Sequence, residues 1–132
     1  MCVSYLLALI YQYILIYIAY LAILPSTGDG METFIQTMGA LNDATRIQIL
    51  RFIDKNKEVC VCDIENAFNM IQSRISRHLK ILKDAGFLKV DRRGRWAYYS
   101  IRTPLDEFRQ SILKEIAHLN LDTPKLPKEC KA

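Results

Sequence analysis

Apolar residues that recur every three or four positions predict the main helices of this chain. The pattern indicates helices over about Met31–Leu41, from Asp43 through Ile53, around Ile75–Leu82 and from Pro104 to Leu119. Asp43 can act as the N-cap of the second helix, because its short side chain accepts a hydrogen bond from a free backbone N–H. Gly86 is a typical stop signal after the third helix.

Between the second and third of these helices the pattern changes. Val59–Cys62 alternates valine with cysteine and is expected to be extended. Asp63 can cap a short helix over Ile64–Phe68, and the chain is then expected to turn at Asn69–Gln72. Ser73 can help to cap the helix that follows.

Two strand-like runs, Phe87–Asp91 and Arg95–Ile101, follow Gly86 and predict a hairpin. Arg93-Gly94 at its tip supplies the left-handed turn position. Two short helices joined by a tight turn and followed by a basic hairpin describe a winged helix-turn-helix. The predicted fold is therefore mainly α with a small β-hairpin wing, preceded by a hydrophobic, helix-like segment.

The N-terminal segment Tyr5–Leu24 is an uncharged run of 20 residues, and roughly 20 apolar residues suffice for a membrane-spanning helix. It lacks basic flanks and the positive n-region of a signal peptide. Three interpretations stay open: a membrane anchor, a folded extension, or a translated upstream region with the true start at Met31. The third has support in Gly28-Asp29-Gly30, whose purine-rich codons can hold a ribosome-binding sequence.

The chain is therefore expected to have three parts. A hydrophobic extension and linker cover residues 1–30, the winged helix-turn-helix covers 31–120, and a flexible tail covers 121–132. The expected location is the cytoplasm, with the domain facing the cytoplasm if residues 1–30 anchor it to a membrane.

The position of the charges is more informative than the formal net charge of +4. Residues 1–30 hold no Lys or Arg and one of the 14 acids, Asp29, so 18 basic and 13 acidic residues follow. From Gln72 to Arg102, nine basic residues stand against Asp84 and Asp91. Such clustering is typical of a surface that faces DNA phosphates.

The second short helix of the predicted motif is the candidate for the major groove, which is wide enough to admit a helix. An isolated basic helix is usually only a solvated face, but here the helix and the wing are basic together. Polar and basic side chains on both suit base edges and phosphates. The candidate DNA-binding residues are Gln72, Ser73, Arg74, Ser76, Arg77, His78, Lys80, Arg92, Arg93 and Arg95. For His78, contact with a phosphate or simple packing is expected, not metal binding.

The four cysteines do not form a disulfide framework. Cys60 and Cys62 are too close for an unstrained bridge in regular backbone, and Cys2 and Cys130 lie near the chain ends. This usage favours a reducing compartment. No nucleophile–base pair, phosphate-binding loop or carboxylate pair indicates an enzyme.

Four strings in this chain form a familiar pattern. They are Leu-Asn-Asp-Ala-Thr-Arg-Ile-Gln-Ile-Leu from Leu41, Glu-Val-Cys-Val-Cys-Asp-Ile from Glu58, Ile-Ser-Arg-His-Leu-Lys-Ile-Leu from Ile75 and Gly-Arg-Trp-Ala-Tyr-Tyr from Gly94. Together they resemble the ArsR/SmtB family of winged-helix metalloregulatory repressors, and its arsenic-responsive branch most of all. The resemblance spans about Met31 to Leu119. It implies a homodimer that pairs through its first and last helices, sits on a palindromic operator and leaves the DNA when trivalent arsenic or antimony binds.

The resemblance also implies no permanent cofactor and makes Cys60 and Cys62 the inducer ligands, because thiolate sulfur suits soft ions. On an ideal helix the two side chains would point in nearly opposite directions, whereas in extended backbone they share a face. Ligand binding is therefore expected either to find this segment extended or to distort the helix start. Such a distortion would misalign the DNA-reading helix. The alternative is that both cysteines are small buried hydrophobes.

Several positions depart from the family's pattern. Glu65 stands where a third cysteine is common, so Cys130, a hydroxide or a free thiol are the candidate third ligands. Ile71 stands where Ser or Thr usually precedes the reading helix, which leaves capping to Ser73 or Gln72. Ala44 replaces a common proline. Phe108, two residues after Asp106, removes the zinc-type site of the last helix.

Two other functions remain open. The same thiols can serve a redox-responsive regulator, and the winged helix can serve as a membrane-anchored adaptor that contacts proteins.

Overall fold

A computed structural model of the chain describes residues 2–23 and 27–127, and the chain divides into two compact units, Met1–Ile35 and Gln36–Ala132. The helices are α1 (Cys2–Ile23), α2 (Thr27–Leu41), α3 (Ala44–Asn56), α4 (Val61–Phe68), α5 (Gln72–Asp84) and α6 (Glu107–His118). The strands are β1 (Glu58–Cys60), β2 (Leu88–Arg93) and β3 (Trp96–Ile101).

The N-terminal unit contains α1 and the start of α2. α2 begins at Thr27, four residues before the predicted start at Met31, so part of the expected linker is helical. A helix extends in this way because each added residue contributes a further backbone hydrogen bond once the helix has nucleated. Leu24, at the end of the apolar run, lies outside the described residues. Within the described parts of the chain, no helix combines the length and apolarity needed to cross a membrane.

The second unit is built around one hydrophobic core beneath the helix-turn-helix. α3 contributes four fully buried side chains, Ile49, Leu50, Phe52 and Ile53. α5 presents Ile75, Leu79 and Leu82 to them at the predicted helical spacing. Asp43 caps α3 as predicted, since its carboxylate accepts the Arg46 N–H at 2.9 Å. The winged helix-turn-helix fold is confirmed.

The three strands form an antiparallel sheet in the order β1-β3-β2. β2 and β3 are the predicted wing, and their register places Arg93 opposite Trp96, so that Gly94 (φ 62°) and Arg95 make the turn. The bounds of β2 and β3 lie within two residues of those predicted. The positive φ at Gly94 confirms the predicted left-handed position.

The prediction that Val59–Cys62 is extended is wrong for its second half. β1 pairs with β3 only up to Cys60 opposite Tyr98, and Val61 and Cys62 already belong to α4. Asp63 is consequently not the N-cap but the third helical residue. An acidic side chain in the first helical turn is favourable there because the helix N-terminus carries partial positive charge.

The turn between α4 and α5 begins at Asn69 as predicted, but it is one residue shorter because α5 already starts at Gln72. Asn69 ends α4 in the left-handed conformation (φ 50°). The N-cap position of α5 is Ile71, and no side chain caps the helix there, so neither Ser73 nor Gln72 takes the predicted capping role. These two residues lie inside the helix, where their backbone is already helical.

The reading helix ends as Gly86 predicts. Gly86 has φ 85° and donates its N–H to the Lys83 carbonyl at 2.9 Å, while Phe87 donates to the Leu82 carbonyl at 3.1 Å. This pair of bonds is the Schellman arrangement. The last helix starts later than predicted, at Glu107 with Asp106 in the N-cap position, so Pro104 and Leu105 precede it.

Candidate functional site

The outward face of α5 carries most of the predicted DNA-binding residues. The side chains exposed on this face or at the start of the helix are Gln72, Ser73, Arg74, Ser76, Arg77 and Lys80. Lys80 forms an ion pair with Asp84 at 2.7 Å, one helical turn away. Within the described residues Arg74 and Arg77 have no ion-pair partner. They are therefore the helix cations best placed to contact phosphate or base edges.

His78 does not share the exposure of its neighbours. Its Nδ1 is buried and has no hydrogen-bond partner among the described residues. Burial lowers the pKa of His78, the nearby Asp43 carboxylate opposes that shift, and Arg46, Arg74 and Arg77 add to it. A buried Nδ1 cannot reach a phosphate, so packing is the role that the structure favours for this atom.

The three wing arginines that are predicted to contact DNA differ in whether an acidic side chain already pairs with them. Arg93 is held by a bidentate ion pair with Glu58 (2.9 and 3.0 Å) and by Asp91 at 2.9 Å. Its guanidinium also lies 4.5 Å from the centre of the Tyr98 ring. Arg92 and Arg95 are exposed, and within the described residues neither has an ion pair. They are the wing cations that DNA can recruit without breaking an existing pair.

The two thiols meet at the corner where β1 becomes α4. Cys60, the last residue of β1, is in the N-cap position with φ −70° and ψ 146°, and Cys62 is the second helical residue. The Cys60 and Cys62 Sγ atoms lie 3.0 Å apart, and neither cysteine is in a disulfide. Cys60 is buried and Cys62 is partly exposed, so an incoming ligand reaches the pair from the Cys62 side.

This corner changes the sequence-based argument about ligand-induced strain. We expected either a fully extended segment or a helix start that must distort before both sulfurs could bind. Two sulfurs bound to one centre at about 2.3 Å, the length of a Zn–S bond, lie roughly 3 to 4 Å apart. The observed separation is already close to that range, so the pairing of the two sulfurs alone demands little movement.

Among the residues that the structure describes, the corner holds no third protein ligand beside the two cysteines. Within residues 2–23 and 27–127, no three His, Cys, Asp or Glu side chains are grouped to hold a metal ion. Cys130, the candidate third sulfur, lies outside the described residues.

Two side chains with contacts to the elements of the candidate site were not predicted from the sequence. Glu58 neutralises Arg93 across 35 residues of chain, and Arg109 joins α6 to the end of α5 and to α2. A signal for Arg109 exists in the sequence, because it lies three residues before Ile112 and seven before Ile116. A basic residue at the spacing of a buried stripe suggests an inward-facing partner.

Comparisons with known proteins agree with this geometry. Residues 43–90 match the family model described as bacterial regulatory protein, arsR family. The chain is 34% identical over 85 residues to the arsenical resistance operon repressor of Bacillus subtilis, covering 64% of this chain and 78% of the repressor. It is 35% identical over 80 residues to the arsenic resistance transcriptional regulator ArsR1 of Pseudomonas putida, covering 61% of this chain and 62% of that regulator's length.

A solved structure shares the architecture. The homodimeric winged helix-turn-helix DNA-binding domain of a possible ArsR-family transcriptional regulator from Mycobacterium bovis superimposes with a TM-score of 0.61 and 26% identity. The superposition covers 74% of this chain and 89% of that domain.

Proposed function

Because the chain belongs to the ArsR family of bacterial regulatory proteins, we propose that it is a repressor that trivalent arsenic or antimony releases from a palindromic operator by binding Cys60 and Cys62. Its relatives are DNA-binding transcriptional regulators and not enzymes. The proposed place of action is the cytoplasm, where DNA is present and thiols stay reduced.

The DNA-binding part of the proposal rests on α5 and the wing. α5 presents Arg74 and Arg77 on its exposed face, and Arg92 and Arg95 project from the wing. A helix of this kind fits the major groove, while the wing cations suit phosphates or the adjacent minor groove. Backbone N–H groups at the uncapped start of α5 can also donate to phosphate.

The observation that carries the inducer part is the 3.0 Å separation of the Cys60 and Cys62 sulfurs. Trivalent arsenic and antimony are soft centres, and thiolate is the ligand type that soft centres prefer. A centre bound there displaces two thiol protons and adds its own volume and third ligand beside the buried Cys60. Cys130, a hydroxide or a small free thiol can supply that third ligand.

Transmission to the DNA-reading helix follows from where the corner lies. Cys62 is in the first turn of α4, and Ile64, two residues later, is fully buried in the core that also holds Ile75 and Leu79 of α5. A bound centre and its third ligand crowd the side chains around the buried Cys60, and a movement of α4 relieves this crowding because protein cores are close-packed. Movement of α4 displaces α5, and a coupling free energy of about 1–3 kcal/mol is typical of such linkage.

Pairing of two copies is proposed through the face formed by α2 and α6. An apolar groove of about 250 Å³ lies between the end of α2, α3 and α6. Its lining residues are Leu41, Ile47, Phe108, Ser111, Ile112, Glu115, Ile116 and Leu119. A twofold pair presents two reading helices to two half-sites about one DNA turn apart.

Two variants separate DNA binding from sensing. Arg77→Ala is expected to weaken operator binding without inducer, because it removes an exposed cation from the reading helix. Cys60→Ser combined with Cys62→Ser is expected to leave binding intact and abolish release by arsenite. The measurement is fluorescence anisotropy of a labelled duplex, selected from random DNA by the wild-type protein, during titration with arsenite.

Cys130→Ser tests the third ligand in the same titration, because release by arsenite is weakened only if Cys130 supplies that ligand. If the double serine variant still leaves DNA with arsenite, the sensor assignment is wrong. A membrane-anchored adaptor predicts instead that the wild type shows no salt-sensitive DNA binding.

The short sulfur separation also favours a second candidate function, a redox response of the same pair. Two-electron oxidation by hydrogen peroxide would join the sulfurs, and the two thiol hydrogens would leave with the two oxygens and two hydrogens of the peroxide as two water molecules. The bridge requires the irregular backbone of the strand-to-helix corner, since it is strained in regular backbone. Release by peroxide without arsenite would favour this function, and unchanged DNA affinity after oxidation would exclude it.

A further inference from the structure

Arg109 of α6 joins three helices through one side chain. Its Nε donates to the Ala85 carbonyl at 2.7 Å, its Nη2 to the Thr37 hydroxyl at 2.9 Å and its Nη1 to the Asp106 carboxylate at 2.9 Å. Ala85 ends the reading helix α5, and Thr37 lies in α2. Only 15% of the Arg109 side chain is exposed.

The hydrogen bond from Arg109 gives the Ala85 carbonyl, at the end of the reading helix, a partner. The last carbonyl groups of a helix have no partner within it, and they carry partial negative charge that a cation stabilises. Gly86 leaves room for this approach, because a Cβ at this position would lie 3.0 Å from the Arg109 Nε and would force the guanidinium to shift. The glycine that ends α5 therefore also opens the path by which Arg109 reaches it.

The remaining contacts fix the direction of the guanidinium. Thr37 is buried, with 1% of its surface exposed, and the guanidinium carbon lies 5.7 Å from the centre of the Phe87 ring. A planar guanidinium donates in fixed directions, so acceptors on three sides allow it one orientation. The end of α5 is thereby tied to α2 and α6.

These two helices are the ones proposed to pair two copies of the chain. We propose that Arg109 is a positioning residue that sets the reading helix relative to the dimer interface, and so sets the separation of the two reading helices on DNA. This inference rests on the proposed function. Half-sites on a palindrome lie roughly 34 Å apart, so a small change of angle at each α5 misplaces both contacts at once.

The test compares binding to a complete palindrome with binding to a single half-site. Arg109→Lys keeps the charge but cannot reach Ala85, Thr37 and Asp106 together, and Thr37→Val removes one acceptor at nearly constant volume. Both are expected to weaken binding to the wild-type-selected palindrome by about tenfold, a size typical of coupling between sites. Half-site affinity is expected to stay within about twofold, since α5 keeps its own contact residues.

Lys114→Gln, an exposed change on the same helix, is the matched control and is expected to leave both affinities unchanged. The double variant Arg109→Lys with Thr37→Val is expected to bind the palindrome no more weakly than either single variant, because both remove one link. A second readout is the preferred half-site spacing, measured on duplexes with one base pair inserted or removed between half-sites. A broader spacing preference in Arg109→Lys supports the positioning role.

Equal losses on the palindrome and on the half-site would overturn the inference, because they indicate general damage to the fold. Unchanged binding to both would overturn it as well. If the wild type selects no palindromic duplex, the proposed function fails and this inference fails with it. The positioning role alone would be rejected if the wild type selects a palindrome and leaves it with arsenite, while Arg109→Lys binds that palindrome as tightly as the wild type does.

Discussion

His78 shows how one side chain on the reading helix combines opposing influences. Its buried Nδ1 lacks a hydrogen-bond partner among the described residues. A buried polar atom without a hydrogen bond lowers the stability of the fold. Asp43, which caps α3, favours the charged imidazolium, while burial and three arginines disfavour it. Burial is the largest of these effects, so the folded protein holds His78 with a lowered pKa.

The lowered pKa of His78 predicts a loss of stability in mild acid. The unfolded chain takes up a proton near the ordinary pKa of 6.5, and the folded protein resists it until lower pH. The free energy of unfolding is therefore expected to fall as pH drops below about 6.5. His78→Gln removes this dependence. Urea unfolding at a series of pH values between about 8 and 5, which span the ordinary pKa of histidine, measures this pH dependence.

The carboxylates act in a separate and lower pH range. Hydrogen bonds from the Arg46 backbone and the Arg109 side chain lower the pKa of Asp43 and of Asp106, respectively. Their contribution is present above the ordinary value of 3.8 and is lost below it. A His78→Gln variant that keeps the wild-type slope between pH 6.5 and 5 would contradict the assignment to His78.

At the scale of single elements, local signals predicted most of the helices and strands. The Asp43 cap, the α5 stripe and the Gly86 stop depend on neighbours within a few residues, and all three were predicted. The Val59–Cys62 boundary was not, because its period-two pattern continues after strand pairing has ended at Cys60. Where pairing ends is decided by β3, which lies far away in the sequence.

The residues of the candidate site also differ in whether a local sequence pattern predicts them. The cysteine pair and the basic face of α5 were predicted because residue type and spacing alone suffice. The Arg93–Glu58 pair joins positions 35 residues apart, and Arg109 meets Thr37 across 72 residues. Neither meeting is encoded in a local pattern, so only the folded chain brings these side chains together.

Ile71 offers a test of element stability at the start of α5. The residue is 73% exposed, has extended backbone angles and provides no side-chain cap. Ile71→Ser places a hydroxyl at the N-cap position, where such side chains accept from the backbone N–H groups of the first helical turn, and is expected to stabilise the domain by about 1 kcal/mol. Urea unfolding measures the gain. Ile71→Ala, which lacks a hydrogen-bonding side chain, is the control and is expected to give no such gain.

At the scale of the whole molecule, the groove between α2, α3 and α6 is lined mainly by apolar side chains, in contrast to the basic face of α5 and the wing. Phe108 and Leu119 at its margin are 39% and 60% exposed. A contiguous apolar patch rimmed by polar residues is typical of an interface. The proposed homodimer would cover it and place the two reading helices on one face.

Leu119→Lys is expected to weaken that homodimer by about tenfold or more, because a buried leucine contributes about 1.5–3 kcal/mol and a lysine must keep its charge in water. Lysine near a helix C-terminus is otherwise favourable, so α6 is expected to stay folded. Sedimentation equilibrium measures the dissociation constant. Leu126→Lys, a matched change of an exposed leucine outside the groove, is expected to have no effect, and equal effects of both variants would contradict the proposed interface.

The strand-to-helix corner has a consequence for the speed of response. Donor atoms that already lie 3.0 Å apart do not have to find each other after the first bond to an incoming ion has formed. Ring closure then costs little conformational entropy, in the way that preorganised ligands gain affinity. Capture should accordingly proceed at a rate proportional to the concentration of the toxic ion, with no plateau from a slow rearrangement. A protein built on this corner loses no time in gathering its two donor atoms, so a brief exposure can already load the pair.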